Sequence, residues 1–224
     1  ALTCFNLIGD GFLLIWPRLV DTLLGCAIAA AAAFLILPDW QGRRLNLVMA
    51  RVLDNCARYL HAVLGQYGSG MQDDLAYRIA RRDMHNADAA LSTALSNMLR
   101  EPGHVRRNLD AGFRFLALSN TLLGHLSALG AHRTQLDSYG KDPLALSGGE
   151  RVQQAMRQIA SALQQREPVA EDANEGDRAL AEQLEQIPDD MPPKLQLIRT
   201  QMGLMLRLLP KLRGAANEAA RTLR

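Results

Sequence analysis

The densest polar stretch in this 224-residue chain is Arg81-Arg-Asp-Met-His-Asn-Ala-Asp88. Set on a helix, Ala76, Ile79, Ala80, Ala87, Ala90, Leu91, Ala94 and Leu95 share one face, and that face also carries Asp83, with Asn86 at its edge. A carboxylate on an apolar face needs a partner. Arg82, Arg114 on the next helix, or His125 could supply one. The set Arg82, Asp83, Asn86, Arg114 and His125 is then either a charged pairing that fixes helix register or a ligand- or proton-handling site, and register is the expected role. In that role an arginine keeps Asp83 charged, buried and linking two helices.

The other reactive residue types point to less. Leu146-Ser-Gly-Gly-Glu150-Arg151 resembles the signature peptide of ABC-type ATPases. The chain has no G-x-x-x-x-G-K-[ST] loop and no apolar strand ending in Asp, so nothing would hold phosphates or Mg²⁺. Ser147 and Glu150 have the spacing of a capping box, which predicts a helix opening at Ser147. The five histidines, His61, His85, His104, His125 and His132, show no H-E-x-x-H pattern. His125 and His132 share a face, but no carboxylate or Cys stands at ligand spacing beside them. There is also no G-x-S-x-G and no G-x-G-x-x-G after a strand. No catalytic residue, metal site or cofactor is assigned, substrate-binding residues stay unassigned, and an enzyme is not expected. Cys4, Cys26 and Cys56 are odd in number and widely spaced, which argues against a disulfide-stapled secreted fold. A net charge of +2 is too weak to argue for nucleic acid.

The elements that must carry these residues read as all-α, with no convincing period-2 run. Apolar residues recur at Leu45, Val48, Met49, Val52, Leu53, Cys56, Leu60, Val63, Leu64 and Tyr67, a long amphipathic helix over 40–67 ended by glycines. Further helices are expected over about 73–100, 105–135, from 147 to before Pro168, over 175–186, and after Pro192-Pro193 with a kink or break at Pro210. Residues 44–135 are expected to form a three-helix bundle with 105–135 as its fully surrounded centre. Three regions result: 1–40, the end of a membrane domain; 41–136, a cytosolic bundle; and 137–224, further helices with an acidic linker. Charge is blocked along the chain, at +5 over 43–133, −7 over 134–190 and +6 over 191–224. The acidic block is expected against its basic neighbours or on a solvated face, with a regulatory flap as the alternative.

Residues 1–40 carry a single base, Arg18, and three acids, Asp10, Asp21 and Asp39. The run 17–37, bounded by Pro17 and Pro38, would be about 31 Å long as a helix, matching a hydrocarbon core of about 30 Å. Its Leu, Ile, Val and Phe residues favour insertion by roughly 3–5 kcal/mol. Arg18 and Asp21 lie in the first turns, within reach of the interface. Gly25 and the following alanines offer a thin face for another membrane helix. One transmembrane helix is therefore expected, preceded by the end of an earlier apolar helix and an Asp10-Gly11 turn. Arg43, Arg44, Arg51 and Arg58 follow the run, which predicts that the C-terminal region is cytoplasmic and close to anionic lipid.

Two stretches together resemble the YccS/YhfK family of bacterial inner-membrane proteins. They are Pro17-Arg-Leu-Val-Asp-Thr-Leu-Leu-Gly-Cys-Ala-Ile-Ala with Leu37-Pro-Asp-Trp-Gln41, and Leu75 through Leu91 continuing to Ser96-Asn-Met98. Ser127-Ala-Leu-Gly-Ala-His-Arg133 is also similar. The similarity covers about 5–135, fades beyond Ser138, and falls at the C-terminal end of the family pattern. Arg18, Thr22 and Gly25 are spaced like the start of a membrane helix in the wider FUSC group, which includes fusaric-acid resistance proteins and aromatic-acid exporters. The resemblance implies a fragment of an integral inner-membrane protein that exports small organic acids on the proton gradient. Its implied partners are membrane lipid and the preceding membrane helices of the same protein, with homo-oligomerisation left open. The alternative is a cytosolic helical binding, scaffold or regulatory domain that the membrane part only anchors.

Overall fold

The computed structural model describes residues 11–32, 44–69, 75–100, 109–131 and 142–221. These residues form seven helices and no strand: α1 (Gly11–Ala31), α2 (Leu45–Ser69), α3 (Leu75–Met98), α4 (Leu109–Ala131), α5 (Pro143–Gln165), α6 (Asn174–Glu185) and α7 (Pro193–Arg221). The all-α expectation holds for them. The chain divides into two units, Ala1–Asp39 and Trp40–Arg224.

In the first unit, α1 begins six residues before Pro17 and carries that proline inside it. The expected start at Pro17 is thus corrected: the apolar residues ahead of it already form helix. Thr22 donates its hydroxyl to the Arg18 carbonyl at 2.8 Å, one turn back, and Gly25 has open space where a Cβ would stand. Trp16, Leu23, Leu24 and Ile28 are exposed. Residues 33–37 of the expected span, and the Asp10-Gly11 turn with its preceding helix, reach outside the described residues. Among the described residues, no helix is long and apolar enough to cross a membrane.

In the second unit, the apolar line read along α2 is its buried face: Leu45, Met49, Val52, Leu53, Cys56, Leu60 and Val63 are all essentially inaccessible. On α3 the buried line is rotated from the expected one. It keeps Leu91, Ala94 and Leu95 of the expected face but runs on through Tyr77, Met84 and Met98, while Ala76, Ile79 and Ala90 are exposed. Tyr and Met bury far more apolar area than Ala, and at about 25 cal/mol per Å² the larger side chains set the rotation. The rotation moves Asp83 to a half-buried edge.

The helix expected from Ser147 starts at Pro143 instead. Asp142 is the N-cap, its carboxylate accepting from the Leu144 N–H at 3.0 Å, and Pro143 fills the first position, where a missing N–H costs nothing. Ser147 and Glu150 therefore lie inside the helix and cannot form a capping box. A Cβ on Gly148 would stand 2.9 Å from Leu184 and 3.4 Å from Met202, so the glycine lets α5 approach α6 and α7 closely. The expected break at Pro210 is also absent. α7 continues to Arg221, its surroundings holding Leu206, Leu209 and Leu212 buried on both sides of the proline.

Packing crosses the boundary expected near residue 136. α2 lies along both α3 and α5; α7 lies along α4, α5 and α6; and one core cluster runs through all six helices. The helix expected at the centre, α4, buries Phe115, Leu122, Leu126 and Leu129 but exposes Phe113, Arg114, Asn120 and Gly124. It is a flank rather than a surrounded centre, because its opposite face has no helix upon it among the described residues.

Candidate functional site

The five residues expected to converge do not. Asp83, with its side chain 38% exposed, pairs with its own neighbour Arg82 at 2.9 Å. Asn86 is exposed. Arg114 reaches from α4 to Glu218 of α7 at 2.8 Å. His125 bonds through Nδ1 to Oε1 of Gln201, also on α7, at 2.8 Å. The expected link between α3 and α4 through Asp83 is therefore replaced by two links from α4 to α7. His132 lies outside the described residues.

The polar stretch does contribute one interhelical contact, through its last residue. Asp88 is half-buried and faces the Asn120 side-chain amide; turned so that its nitrogen meets the carboxylate, that amide donates to both Asp88 oxygens at 2.9 and 3.0 Å, tying α3 to α4. Burial raises the Asp88 carboxyl above its ordinary range, with nearby His85 opposing. On α2, burial and then the charge of Asp88 push the Cys56 thiol up to about 12, leaving it protonated and unreactive at neutral pH.

The richest buried polar network joins α5, α6 and α7. Asp177, fully buried near the start of α6, accepts from Arg151 Nε of α5 at 2.6 Å and from Arg213 Nη1 of α7 at 2.5 Å. Arg213 Nη1 also donates to Asn174 at 2.7 Å. Arg213 is only 2% exposed, and its Nη2 is buried without a hydrogen bond. Asn217, one turn further along α7, grips the segment between α5 and α6: the Val169 N–H donates to its carbonyl at 2.7 Å, and its amide donates to the Val169 carbonyl at 3.0 Å. Arg151 and Arg213 line a cleft of about 590 Å³ walled by the outer face of α5 and residues 167–173.

A second ion pair stands at the other end of α5. Arg199 of α7 holds the Asp142 carboxylate through two bonds of 2.6 and 2.9 Å. This pairing, ahead of the opposing burial, pulls the Asp142 carboxyl below its ordinary range. Glu185 is lowered likewise by Arg207. The acidic block thus sits against the basic block that follows it, as its first expectation had it: Asp142, Asp177 and Glu185 each take an arginine from α7. The polar centre itself was not anticipated, although a signal existed. Asp177, Ala181 and Leu184 fall at i, i+4 and i+7 and share the buried face of α6.

No family model and no solved structure matches the chain. Among curated proteins it is 42% identical over 212 residues to the inner membrane protein YccS of Escherichia coli, an alignment that covers 95% of the chain and 29% of YccS. It is 42% identical over 149 residues to an uncharacterized protein of Haemophilus influenzae, covering 66% of the chain and 21% of that protein. An uncharacterized protein of Neisseria gonorrhoeae is 33% identical over 132 residues, covering 58% of the chain and 32% of that protein. The chain thus spans about a third or less of the curated relatives it matches.

Proposed function

Because the chain belongs to the YccS family of inner-membrane proteins, we propose that it forms the C-terminal, membrane-attached part of a FUSC-type exporter of small organic acids driven by the proton gradient. The observation that carries this reading is the 42% identity to an inner membrane protein across 95% of the chain. The exposed apolar side chains of α1 support a place in lipid for that helix. In this reading Arg18, Thr22 and Gly25 lie inside the membrane helix, after its first turns, and pack against preceding membrane helices of the same protein. The arginines after the span put the six-helix unit in the cytoplasm. The substrate route lies in the membrane helices.

Deleting the full-length protein should raise intracellular accumulation of aromatic acids, and cysteine placed at position 43 should resist an impermeant reagent added outside intact cells. Unchanged accumulation removes the exporter reading; modification from outside removes the orientation. A second reading, a membrane-anchored binding or scaffold domain, is favoured by one observation: the six-helix unit has its own continuous core and a polar-floored cleft. Unchanged efflux together with loss of a protein partner would favour it.

A further inference from the structure

The two sides of the six-helix unit differ in charge. α2 lies between α3 and α5, α7 lies between α4 and α6, and α3 does not pack against α6. Residues 166–190, which contain α6, hold nine acids and two bases. The side made by α2 and α3 is opposite in sign. α2 is covered by α3, α4 and α5, and its open face is a line at helical spacing: Arg44, Leu47, Arg51, Arg58 and His61. The open face of α3 begins with Leu75, Arg78, Ile79, Arg81, Arg82 and His85. The three described acids of these helices, Asp54, Asp83 and Asp88, are each half-buried and engaged by Arg58, Arg82 and Asn120. Asp73 and Asp74, between the helices in sequence, still leave arginine in excess. Exposed large apolar side chains gather on the same side. Leu47, Leu75, Ile79 and Leu99 are exposed there, and the other described residues of the unit add Phe113 and Leu204.

We propose that the α2–α3 face lies on the anionic lipid surface of the membrane to which the chain is attached. The arginines meet headgroup phosphates, while Leu47, Leu75 and Ile79 dip below them. The cations run along about 26 Å of α2 and on over α3 without converging on one point. Charges and single apolar side chains spread over a broad face suit a planar surface of anionic headgroups above an apolar layer, and not a pocket ligand. The acidic α6 side then faces away, where its repulsion from anionic lipid is least. The proposal rests on the membrane attachment of the chain and not on export.

The test reconstitutes the full chain, with Cys4 and Cys26 replaced by serine, in vesicles of phosphatidylcholine alone or with phosphatidylglycerol added. A polarity-sensitive fluorophore is attached through Ile79→Cys or, as the control on the acidic side, through Glu182→Cys, both exposed positions. Cys56 is buried and stays unlabelled. Nitroxide-bearing lipid should quench position 79 in the vesicles with phosphatidylglycerol, and not in phosphatidylcholine alone. Position 182 should stay unquenched in both. Quenching at 79 should be lost in about 1 M salt, where the Debye length is about 3 Å. Arg51→Gln and Arg81→Gln, at exposed positions, should each lower the docking equilibrium about fivefold, the equivalent of about 1 kcal/mol per arginine. Equal quenching at 79 and 182, quenching indifferent to phosphatidylglycerol or to both substitutions, or no quenching at 79 in vesicles that carry the chain would each overturn the docking. A chain that floats with neither vesicle would overturn the attachment on which the docking rests.

Discussion

Replacing Asp142 tests whether one side chain both starts α5 and anchors α7 to it. The carboxylate is 4% exposed and caps the helix at 3.0 Å, while holding Arg199, whose side chain is 12% exposed, through two bonds. Losing the cap costs about 1 kcal/mol. An exposed ion pair would add at most about 1 kcal/mol, and breaking a fully buried one about 3–5 kcal/mol. This pair is nearly buried, but Arg199 can swing back toward water, so about 2–3 kcal/mol is expected. Asp142→Ala should therefore lose about 3–4 kcal/mol. At about 2–4 °C per kcal/mol for a unit of this size, the melting temperature falls by about 6–16 °C. Asp142→Asn keeps a capping oxygen and loses the charge, so it should fall between the parent and Asp142→Ala. The folded carboxyl titrates below the unfolded one, so its stabilisation is complete above the ordinary Asp range of about 4 and is lost as pH falls through the folded value. Circular-dichroism melts of the full chain at pH 7 and at progressively lower pH read both effects. The gap between parent and Asp142→Asn should close in acid. An Asn variant that melts with the parent at pH 7, or a gap that persists in acid, would refute the assignment to the Arg199 pair.

Asp83→Asn should change stability by no more than about 0.5 kcal/mol in the same melts, because its partner Arg82 is 67% exposed. A Cβ at Gly130 would collide with the Tyr59 hydroxyl and stand 2.9 Å from that of Tyr77, two groups bonded to each other at 3.1 Å. Gly130→Ala should cost about 1–3 kcal/mol, and less in a Tyr59→Phe background, which a double-mutant cycle would reveal. Cys56 should resist thiol reagents in the native protein at pH 8 and react once the protein unfolds. Its raised pKa means that the unfolded chain loses the proton first, so stability should fall as pH rises through about 9 toward 12, and Cys56→Ala should lack that fall.

Six amphipathic helices in the second unit were legible in order and to within a few residues, because helical periodicity is a local property written in neighbouring side chains. The sign of the charge blocks was legible too, and it anticipated that α7 would meet the acidic residues of α5 and α6. Kinship with inner-membrane proteins was carried by runs such as Leu75–Leu91. What only the tertiary structure decided was which faces meet. Asp83 looked buried because alanines share its face; burying Tyr77 and Met84 instead turned α3 and left Asp83 beside Arg82. Arg114 and His125 look across to α7, some 76 to 104 residues further along the chain, rather than to α3. Asp177 became the polar centre because the helices before and after it in the chain bring Arg151 and Arg213 to the same carboxylate. A buried charge can choose among many cations in the chain, and only the packing of whole helices determines which one arrives within hydrogen-bonding distance.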